Sequence, residues 1–489
     1  MHYETVVGLE VHAQLSTKTK IFCGCPTTFG AEANTQGCPV CAGMPGVLPV
    51  LNRLAVEYAM RMALATHSTI QPRSLFARKN YFYPDLPKGY QISQYERPFA
   101  KGGYVDIEVN GRKKHIRLVR IHLEEDAGKS MHGEDAGVGG ESLVDINRCG
   151  VPLIEIVGEP DIASPEEAAT YLAKIRQILM YLRICDGNME QGNLRTDVNV
   201  NMRVERDGQW FKTPIAEIKN LNSFRYAVRA IEALIERQKA MIEEGELELV
   251  PLDGTAPKET LLWDETQGQV RFMRAKEQAH DYRYFPEPDL VPLEVDPAWI
   301  EQVRTTLPEL PEVRRERFVT QYRIPAYDAG VLTEEREIAE YYEAVIRAGG
   351  DPKAVSNWVM GSVLRELNSR KIGITDFKVP PKMLADLLKL MQEGTISGKI
   401  AKAIFQEMAE TGEAPRRIVE RKGLVQISDA ETLEHVIEDV LQEHGKEVER
   451  YRAGATKLLG FFVGQVMWKT KGQANPKLVN QLLKEKLNG

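Results

Sequence analysis

The sequence lacks the features of a membrane protein, a secreted protein or a disordered chain. No apolar run in its 489 residues approaches the roughly 18 residues that a membrane-spanning helix needs. The first residues form neither a basic nor an apolar segment, so no secretory signal is visible and we expect a cytoplasmic protein. Hydrophobic residues make up 43% of the chain and charged residues 27%, which is typical of a globular protein, and the length predicts about three domains.

Several common catalytic motifs are also missing. Gly128-Lys129-Ser130 resembles the end of a Walker A motif, but Leu123 stands where the first glycine of that motif belongs. The GxGxxG, HExxH and GxSxG motifs are absent as well. The chain therefore carries none of the usual signatures of a P-loop nucleotide-binding protein, a dinucleotide-binding enzyme, a zinc protease or an α/β-hydrolase.

The chain as a whole also has no excess of positive charge. The formal net charge is −7, which argues against a protein that binds nucleic acid over its whole surface. The end of the chain is an exception, because residues 451–489 contain seven lysine and arginine residues but one acid, Glu485. Either a solvated helix face or a surface that contacts phosphates accounts for this local charge.

Cysteine is scarce, with six residues in the chain, but its distribution is informative. Four of the six lie in one short window: Cys23, Cys25, Cys38 and Cys41. Clustered thiols in a cytoplasmic chain hold metal more often than they form disulfides, and zinc binds four thiolates tetrahedrally. We therefore predict a structural zinc loop over residues 23–41, with free buried thiols or redox chemistry as alternatives. Cys149 and Cys185 stand alone and are predicted to be core residues.

Hydrophobic patterning predicts an α+β fold for the first part of the chain. Residues 5–14 alternate between apolar and polar side chains, as in a half-buried strand. Asn110-Gly111 between two alternating segments predicts a tight hairpin, and Ser164-Pro165-Glu-Glu167 predicts a capped helix start. The sheet is therefore expected to be largely antiparallel.

Strand signals nearly disappear after a group of prolines between Pro286 and Pro297. The remaining chain has apolar residues at helical spacing, interrupted by a turn-rich stretch near Thr411. We therefore predict a catalytic domain on a largely antiparallel sheet, followed by two all-helical domains. Their predicted ranges are residues 1–292, 293–408 and 409–489.

Acidic residues and histidine are concentrated in the first domain. Glu10 and His12 are two residues apart on a predicted strand, so their side chains leave the same face. A second strand ends in His122-Leu-Glu-Glu-Asp126, and Glu155 lies within an apolar run, where a carboxylate is costly to bury unless it is paired or bound to metal. Such oxygen ligands with one imidazole suit Mg²⁺ and predict an ATP-dependent site without a P-loop. The alternative is a set of ordinary surface carboxylates and ion-pair partners.

A third pattern combines cations with tyrosines. Arg78-Lys79 precedes Tyr81 and Tyr83, and a similar mixture occurs over residues 281–286. These groups could bind phosphate and stack on a base, or they could form an ordinary amphipathic edge.

Several of these strings resemble the GatB family, the B subunits of tRNA-dependent amidotransferases. They are Gly8-Leu-Glu-Val-His12, Arg78-Lys-Asn-Tyr-Phe-Tyr-Pro84, His122-Leu-Glu-Glu-Asp-Ala-Gly-Lys129, Asp145-Ile-Asn-Arg148, Pro152-Leu-Ile-Glu-Ile156, Glu217-Ile-Lys-Asn-Leu-Asn-Ser-Phe224, Asp281-Tyr-Arg-Tyr-Phe-Pro286, Gly423-Leu-Val-Gln-Ile-Ser-Asp429 and Gly472-Gln-Ala-Asn-Pro-Lys-Leu-Val-Asn480. The resemblance covers essentially the whole chain.

The resemblance implies a reaction and a set of site residues. A member of this family uses ATP to phosphorylate the side-chain carboxylate of Glu or Asp mischarged on tRNA(Gln) or tRNA(Asn), and ammonia then displaces the phosphate. The implied magnesium ligands are Glu10, His12, Glu125 and Glu155, with Glu124 as the alternative to Glu125. Lys79 and Tyr81 join Glu124 and Glu125 as implied catalytic residues, while Arg78, Tyr83 and Lys129 are implied to bind the nucleotide or the aminoacyl end.

The family also implies an architecture and partners. A cradle-shaped catalytic domain is followed by a helical domain and a helical tail that grips tRNA, here through Lys457, Lys469, Lys471 and Lys477. The zinc loop occurs in some members only. An amidase A subunit would release ammonia from glutamine, and a small C subunit would join the complex. Two rival functions remain open at this stage: a ligase that amidates a free acid, and a non-catalytic tRNA chaperone.

Overall fold

The computed structural model describes residues 2–132, 141–264, 267–275, 282–424, 429–470 and 473–488. The chain divides into two compact units, Met1–Leu310 and Pro311–Gly489. None of the helices in these described ranges combines the length and the apolar composition that a membrane span requires.

The first unit contains all the strands that the structure describes. They are β1 (His2–Gln14), β2 (Thr69–Ile70), β3 (Arg73–Ser74), β4 (Ala77–Asn80), β5 (Tyr90–Ser93), β6 (Ala100–Lys101), β7 (Tyr104–Val109), β8 (Arg112–Glu125), β9 (Lys129–His132), β10 (Ser142–Asp145), β11 (Pro152–Gly158), β12 (Leu194–Arg206), β13 (Gln209–Lys212), β14 (Ile215–Leu221), β15 (Val250–Pro251), β16 (Lys258–Asp264), β17 (Gln269–Ala275), β18 (Phe285–Pro286) and β19 (Leu293–Glu294). The helices of this unit are α1 (Arg53–Ala65), α2 (Pro165–Tyr181), α3 (Phe224–Glu243) and α4 (Pro297–Thr305).

The regular elements described in the second unit are all helices. Its α-helices are α5 (Pro311–Tyr322), α6 (Ala326–Leu332), α7 (Arg336–Arg347), α8 (Pro352–Trp358), α9 (Leu364–Arg370), α10 (Pro381–Gln392), α11 (Gly398–Thr411), α12 (Pro415–Lys422), α13 (Ala430–Glu443), α14 (Gly445–Arg452), α15 (Leu459–Lys469) and α16 (Pro476–Asn488). A π-helical turn, Val359–Val363, joins α8 to α9.

A large sheet organises the first unit. Its central strands run in the order β17-β16-β14-β12-β1-β11-β8-β6-β2, and β1 is antiparallel to both of its neighbours. The pairing of β14 with β16 is parallel. Side chains of β1 alternate, so that Val7, Leu9 and Val11 are buried in the core while Glu10 and His12 lie on the other face. Helices α2 and α3 pack against the sheet. The predicted α+β class with a largely antiparallel sheet is confirmed.

Local sequence signals account for two of these elements. Asn110 and Gly111 have φ angles of 52° and 74°, and they join β7 to β8 as the predicted hairpin. Helix α2 begins as predicted, because the Ser164 side chain accepts a hydrogen bond of 3.1 Å from the Glu167 N–H.

The unit boundaries differ from the predicted domain boundaries. The first boundary falls after Leu310 instead of after residue 292, because β19 pairs with β3 and Trp299 and Val303 of α4 pack on the sheet unit's core. The second predicted boundary, after residue 408, falls inside α11. The helical unit has two cores, of which one extends from Phe318 to Val419 and the other from Leu433 to Leu487.

The first helical core carries a buried ionic group. Glu343 on α7 accepts hydrogen bonds from Arg317 (2.7 Å) and from the Tyr322 hydroxyl (2.9 Å), and it lies 3.3 Å from the Arg314 guanidinium. Burial alone would raise the pKa of Glu343, but the hydrogen bonds from Arg317 and Tyr322 outweigh it and lower the pKa below its usual value. The carboxylate is therefore more stable in the folded state than in the unfolded chain.

Replacing Glu343 by Gln should destabilise the helical unit by about 1–3 kcal/mol at pH 7. The reason is that Arg314 and Arg317 would then face a neutral amide in place of a carboxylate. In the wild type this contribution is complete above the unfolded-state pKa of about 4.3 and disappears as the pH falls through the lower folded-state pKa. Opening free energies from hydrogen exchange in α7 should therefore fall less steeply between about pH 5 and pH 2 in Glu343→Gln. The more exposed Glu340→Gln on the same helix is the control, and equal pH profiles in the two variants would contradict this account.

Candidate active site

Strand register brings polar residues from distant parts of the chain into one row. His12 on β1 lies opposite Glu155 on β11, and Glu155 lies opposite His122 on β8. Directly opposed side chains on neighbouring strands point to the same face of a sheet. This face, which carries Glu10, His12, His122, Glu124 and Glu155, is called the polar face below; the opposite face carries the apolar core.

Three side chains on the polar face form a cluster suited to a metal ion. The ligand atoms of His12, Glu124 and Glu155 all lie within 4.8 Å of one another. His12 Nε2 is 3.5 Å from Glu155 Oε2 and 4.0 Å from Glu124 Oε1. An octahedral Mg²⁺ with ligands at 2.0–2.1 Å separates adjacent ligands by about 3.0 Å and opposite ligands by about 4.2 Å. The observed spacing therefore fits such an ion.

Charge pairing makes this buried cluster tolerable. Burial lowers the pKa of His12, but the charge of Glu155 outweighs burial and raises the pKa to about 9. Burial raises the pKa of Glu155, but the charges of His122 and His12 hold it well below its usual value. His122 Nε2 is 3.1 Å from Glu155 and 3.5 Å from Glu124, so it orients both carboxylates. The carboxylates of Glu124 and Glu155 are therefore both ionised.

Glu125, one of the predicted metal ligands, lies outside this cluster. Its Oε1 pairs with Lys88 Nζ and accepts a 2.8 Å hydrogen bond from the Ile92 N–H. Adjacent residues on a strand point to opposite faces, so Glu124 and Glu125 cannot both reach the polar face. Glu124, the alternative to Glu125 as a metal ligand, is the glutamate that reaches the cluster.

Glu10 lies on the polar face but beside the cluster. It lies opposite Asp197 on β12, and its Oε1 accepts a 3.1 Å hydrogen bond from Asn199. Burial, and then the charges of Glu155 and Asp197, raise its pKa. Lys219 offsets part of the negative charge, since its Nζ is 4.0 Å from Asp197 and 3.9 Å from Glu217.

Two cavities open beside the cluster. The first has a volume of about 1020 Å³ and is lined by His12, Glu124, Asp126, Arg148 and Arg195, among others. The second, of about 840 Å³, is lined by Glu10, His122, Glu155 and the tyrosines Tyr95 and Tyr284. His12, Lys79, Glu124 and Lys219 line both cavities. The cluster therefore lies where two separate ligands could approach the same atoms.

Three residues of the tyrosine-rich segment line the first cavity. Lys79 Nζ lies 4.9 Å from the centre of the Tyr282 ring, and although burial lowers the pKa of Lys79, the charges of Tyr284 and Glu124 raise it. Tyr81 is half-buried beside it and burial raises its pKa. Tyr83 is exposed and lines the first cavity.

Two other predicted nucleotide-binding residues point elsewhere. Arg78 donates to both carboxylate oxygens of Glu287, at 2.7 and 2.8 Å, and to Asp289 at 3.1 Å. It neighbours Lys79 on β4, so strand alternation turns it away from Lys79. Lys129 is exposed at the start of β9 and lines a different cavity of about 740 Å³, beside the zinc loop. Neither side chain lines the two cavities at the cluster.

Sequence reasoning did not assign roles to several cations and to His122. Arg195 is 3.1 Å from Asp126, and Arg148 donates to the backbone oxygen of Ala127 at 2.8 Å. Both arginines line the first cavity. The two-residue spacing of His122 and Glu124 could have revealed His122, because the same spacing correctly grouped Glu10 with His12. The arginines come from segments that no local pattern connects to the carboxylates.

The four clustered cysteines lie together, and none of them forms a disulfide. Their Sγ atoms fall within 4.8 Å of one another, and those of Cys38 and Cys41 are 3.9 Å apart. Tetrahedral zinc with bonds of about 2.3 Å separates its sulfurs by about 3.8 Å, so the cluster fits zinc. A hydrogen bond with Cys23 is the main cause that lowers the pKa of Cys41 to about 4. Cys149 and Cys185 are buried elsewhere.

The predicted tRNA-binding lysines are only partly described. Lys457 is exposed in a short 3₁₀ turn, Thr456–Leu458. Lys469 forms a 2.7 Å ion pair with Glu443. Lys471 and the side chain of Lys477 lie outside the described residues.

Comparison with known proteins identifies the family. The GatB/GatE catalytic domain matches residues 5–301, and the GatB domain matches residues 340–487. The B subunit of the aspartyl/glutamyl-tRNA(Asn/Gln) amidotransferase of Geotalea daltonii is 56% identical over 490 residues, with 100% of both chains covered. The proteins of the same name from Geobacter sulfurreducens and Moorella thermoacetica are each 54% identical, also over 100% of both chains. The chain therefore belongs to the GatB/GatE family of amidotransferase subunits, and its polar face lies within the catalytic domain of that family.

Proposed function

We propose that this chain converts Glu mischarged on tRNA(Gln), Asp mischarged on tRNA(Asn), or both, into the corresponding amide. The names of the relatives support the tRNA-dependent reaction. The observation that carries the site assignment is the convergence of His12, Glu124 and Glu155 within 4.8 Å, at a wall shared by two cavities. One cavity would admit ATP and the other the aminoacyl end of the tRNA.

The chemistry requires ATP because a carboxylate is a poor electrophile. Transfer of the γ-phosphoryl group to a side-chain oxygen gives an acyl phosphate, with ADP as the other product. Ammonia then attacks the carbonyl carbon, phosphate leaves, and the nitrogen loses a proton to give the amide. Most of the catalytic work in phosphoryl transfer is positioning and charge neutralisation, so cations and a metal site suffice without a protein nucleophile.

Each part of the site has a role in this reaction. His12, Glu124 and Glu155 would hold Mg²⁺, which when bound offsets charge on the phosphates. Glu10 lies beside them on the polar face and adds a further carboxyl group to the site. Arg148 and Arg195 line the first cavity and would neutralise the triphosphate.

Lys79, Tyr81 and Tyr83 would bind the phosphate being transferred or the terminal adenosine. Lys79 is suited to the transferred group because it lines both cavities. Tyr81 and Tyr83 meet edge to face, with ring centres 6.0 Å apart, and offer aromatic surface at the first cavity.

The partners follow from the chemistry and from the relatives' names. The reaction consumes ammonia, and the relatives are named as one component of an enzyme with several subunits. We propose an amidase A subunit that releases ammonia from glutamine, and a small C subunit that joins the two. In the helical unit, Lys457, Lys469, Lys471 and Lys477 are proposed to contact tRNA phosphates; Lys469 would exchange Glu443 for phosphate.

The four-cysteine cluster is proposed to hold a structural zinc ion. Zinc bound by four thiolates has no open coordination position, so it stabilises a fold and does not itself contact the reacting groups. The spacing of the sulfur atoms supports this assignment.

Replacing Glu124 by Gln should reduce tRNA-dependent ADP release by about 100-fold or more. The reason is that the site loses one of the carboxylates that would bind the metal next to the transferred phosphoryl group. The assay combines the chain with its amidase partner, ATP, glutamine and mischarged tRNA, and circular dichroism checks the fold. Glu4→Gln on the same face of β1 is the matched control, because Glu4 is exposed and only a 3.7 Å contact with Arg203 is lost. Normal ADP release by Glu124→Gln would rule out the metal assignment, and equal amidation of free glutamate would favour the free-acid ligase.

Purified protein should contain one zinc per chain, and Cys41→Ser should lose it. Cys41 is the buried member of the cluster, whereas Cys185 is a buried thiol outside it. Cys185→Ser is therefore the matched control and should keep its zinc. Metal content by plasma mass spectrometry provides the measurement, and a wild-type chain free of zinc would refute the proposed site.

A further inference from the structure

A buried lysine lies beside the four-cysteine cluster. The Lys20 side chain is 0% exposed and is among the largest fully buried side chains of the described residues. Its Nζ donates to the Gln36 carbonyl oxygen at 2.6 Å, to the Ile146 carbonyl oxygen at 3.4 Å and to Cys41 Sγ at 3.5 Å. The acceptors of this ammonium in the described part of the chain thus include no carboxylate.

This arrangement is informative because a buried ammonium group needs an anion nearby. Removing an unpaired charge from water is so costly that buried lysines are normally paired. Zinc with four thiolates carries a net charge of −2, and one of those thiolates, Cys41, is the sulfur that Lys20 contacts. Without metal, the lowered pKa of Cys41 leaves one thiolate beside Lys20, whereas the metal-bound set carries two net negative charges.

Lys20 also joins the zinc loop to a second segment, residues 144–148. The Ile146 carbonyl oxygen accepts a hydrogen bond from Lys20, and two further hydrogen bonds connect the same two segments. The Asn34 side chain accepts from the Ile146 N–H at 2.8 Å, and the Asn147 side chain accepts from the Gln36 N–H at 2.7 Å. The zinc loop and this segment are therefore held together by hydrogen bonds that converge next to Lys20.

The same segment carries a residue of the first cavity. Arg148 is two residues beyond Ile146, and its guanidinium donates to the backbone oxygens of Ala127 at 2.8 Å and Gly128 at 2.5 Å. Residues 126–128 directly follow β8, the strand that carries Glu124. A continuous path of contacts thus leads from the cysteines through Lys20 and residues 144–148 to the wall of the first cavity.

We propose that Lys20 is the counter-ion of the zinc–thiolate site and a positioning residue that couples the bound zinc to the placement of Arg148. The ammonium group stabilises the excess negative charge of the thiolates and, through the Ile146 oxygen, fixes the segment that carries Arg148. The zinc loop then serves the reaction at a distance: its metal holds a phosphate-binding arginine in place. This inference rests on the proposed zinc occupancy, and its tests require neither ATP nor tRNA.

The first test measures how fast zinc leaves the full-length chain when a chromogenic chelator, 4-(2-pyridylazo)resorcinol, is added. Lys20→Met keeps the apolar stem and removes the charge, and it should release zinc about 10–100 times faster than the wild type, as loss of an outer-shell partner does elsewhere. Lys18→Met removes an exposed lysine two residues away and is the matched control. Release by Lys20→Met at the wild-type rate would overturn the counter-ion role.

A second test needs no variant and therefore does not depend on Lys20→Met folding. Zinc is removed from the wild-type chain, and hydrogen exchange is compared with that of the zinc-loaded chain. Exchange should increase at least tenfold over residues 144–148 and remain unchanged in β12. Strand β12 is separated from β8 by β1 and β11 in the strand order of the sheet. Unchanged exchange over residues 144–148 would overturn the coupling, whereas a wild-type chain that contains no zinc would overturn the proposed zinc site itself.

Discussion

The candidate site depends on one ionic row across the central sheet, in which Glu155 lies between His12 and His122. An isolated carboxylate at this depth would be strongly disfavoured, and the two imidazoles make it stable. The row exists because three antiparallel strands align these residues directly opposite one another. The same alignment directs the apolar residues of each strand into the core, so the register that builds the hydrophobic core also assembles the polar face. A shift of one residue in either pairing would destroy both.

Strand alternation explains how much of the fold and the site could be predicted. It correctly identified β1 as half-buried and placed Glu10 and His12 on one face, and the hairpin at Asn110-Gly111 follows from turn chemistry alone. Applied to β8, it would also have grouped His122 with Glu124 and excluded Glu125. Family resemblance gave Glu125 precedence, but the structure places that carboxylate against Lys88.

The features that could not be predicted depend on contacts between distant segments. Arg78 follows the cationic pattern of a ligand-binding residue, yet it forms an ion pair with Glu287, 209 residues away in the chain. Arg148 and Arg195 meet near Asp126 only because three segments that are distant in the chain converge there. The boundary after Leu310 similarly reflects packing of α4 on the sheet unit, which the proline-rich stretch does not reveal. Charge and spacing identify the types of residue in a site, but tertiary contacts decide which of them are free to bind a ligand.

The position of β1 in the sheet has a consequence for biosynthesis. This strand is the first element of the chain, yet it pairs with β11 and β12, which begin at Pro152 and Leu194. At about 5–20 residues per second, a ribosome needs about 10–40 s to complete these partners after β1 has been made. During that interval β1 lacks both of its strand partners, and pairings this far apart in sequence form slowly. Newly synthesised chains should therefore depend on chaperones until β12 emerges.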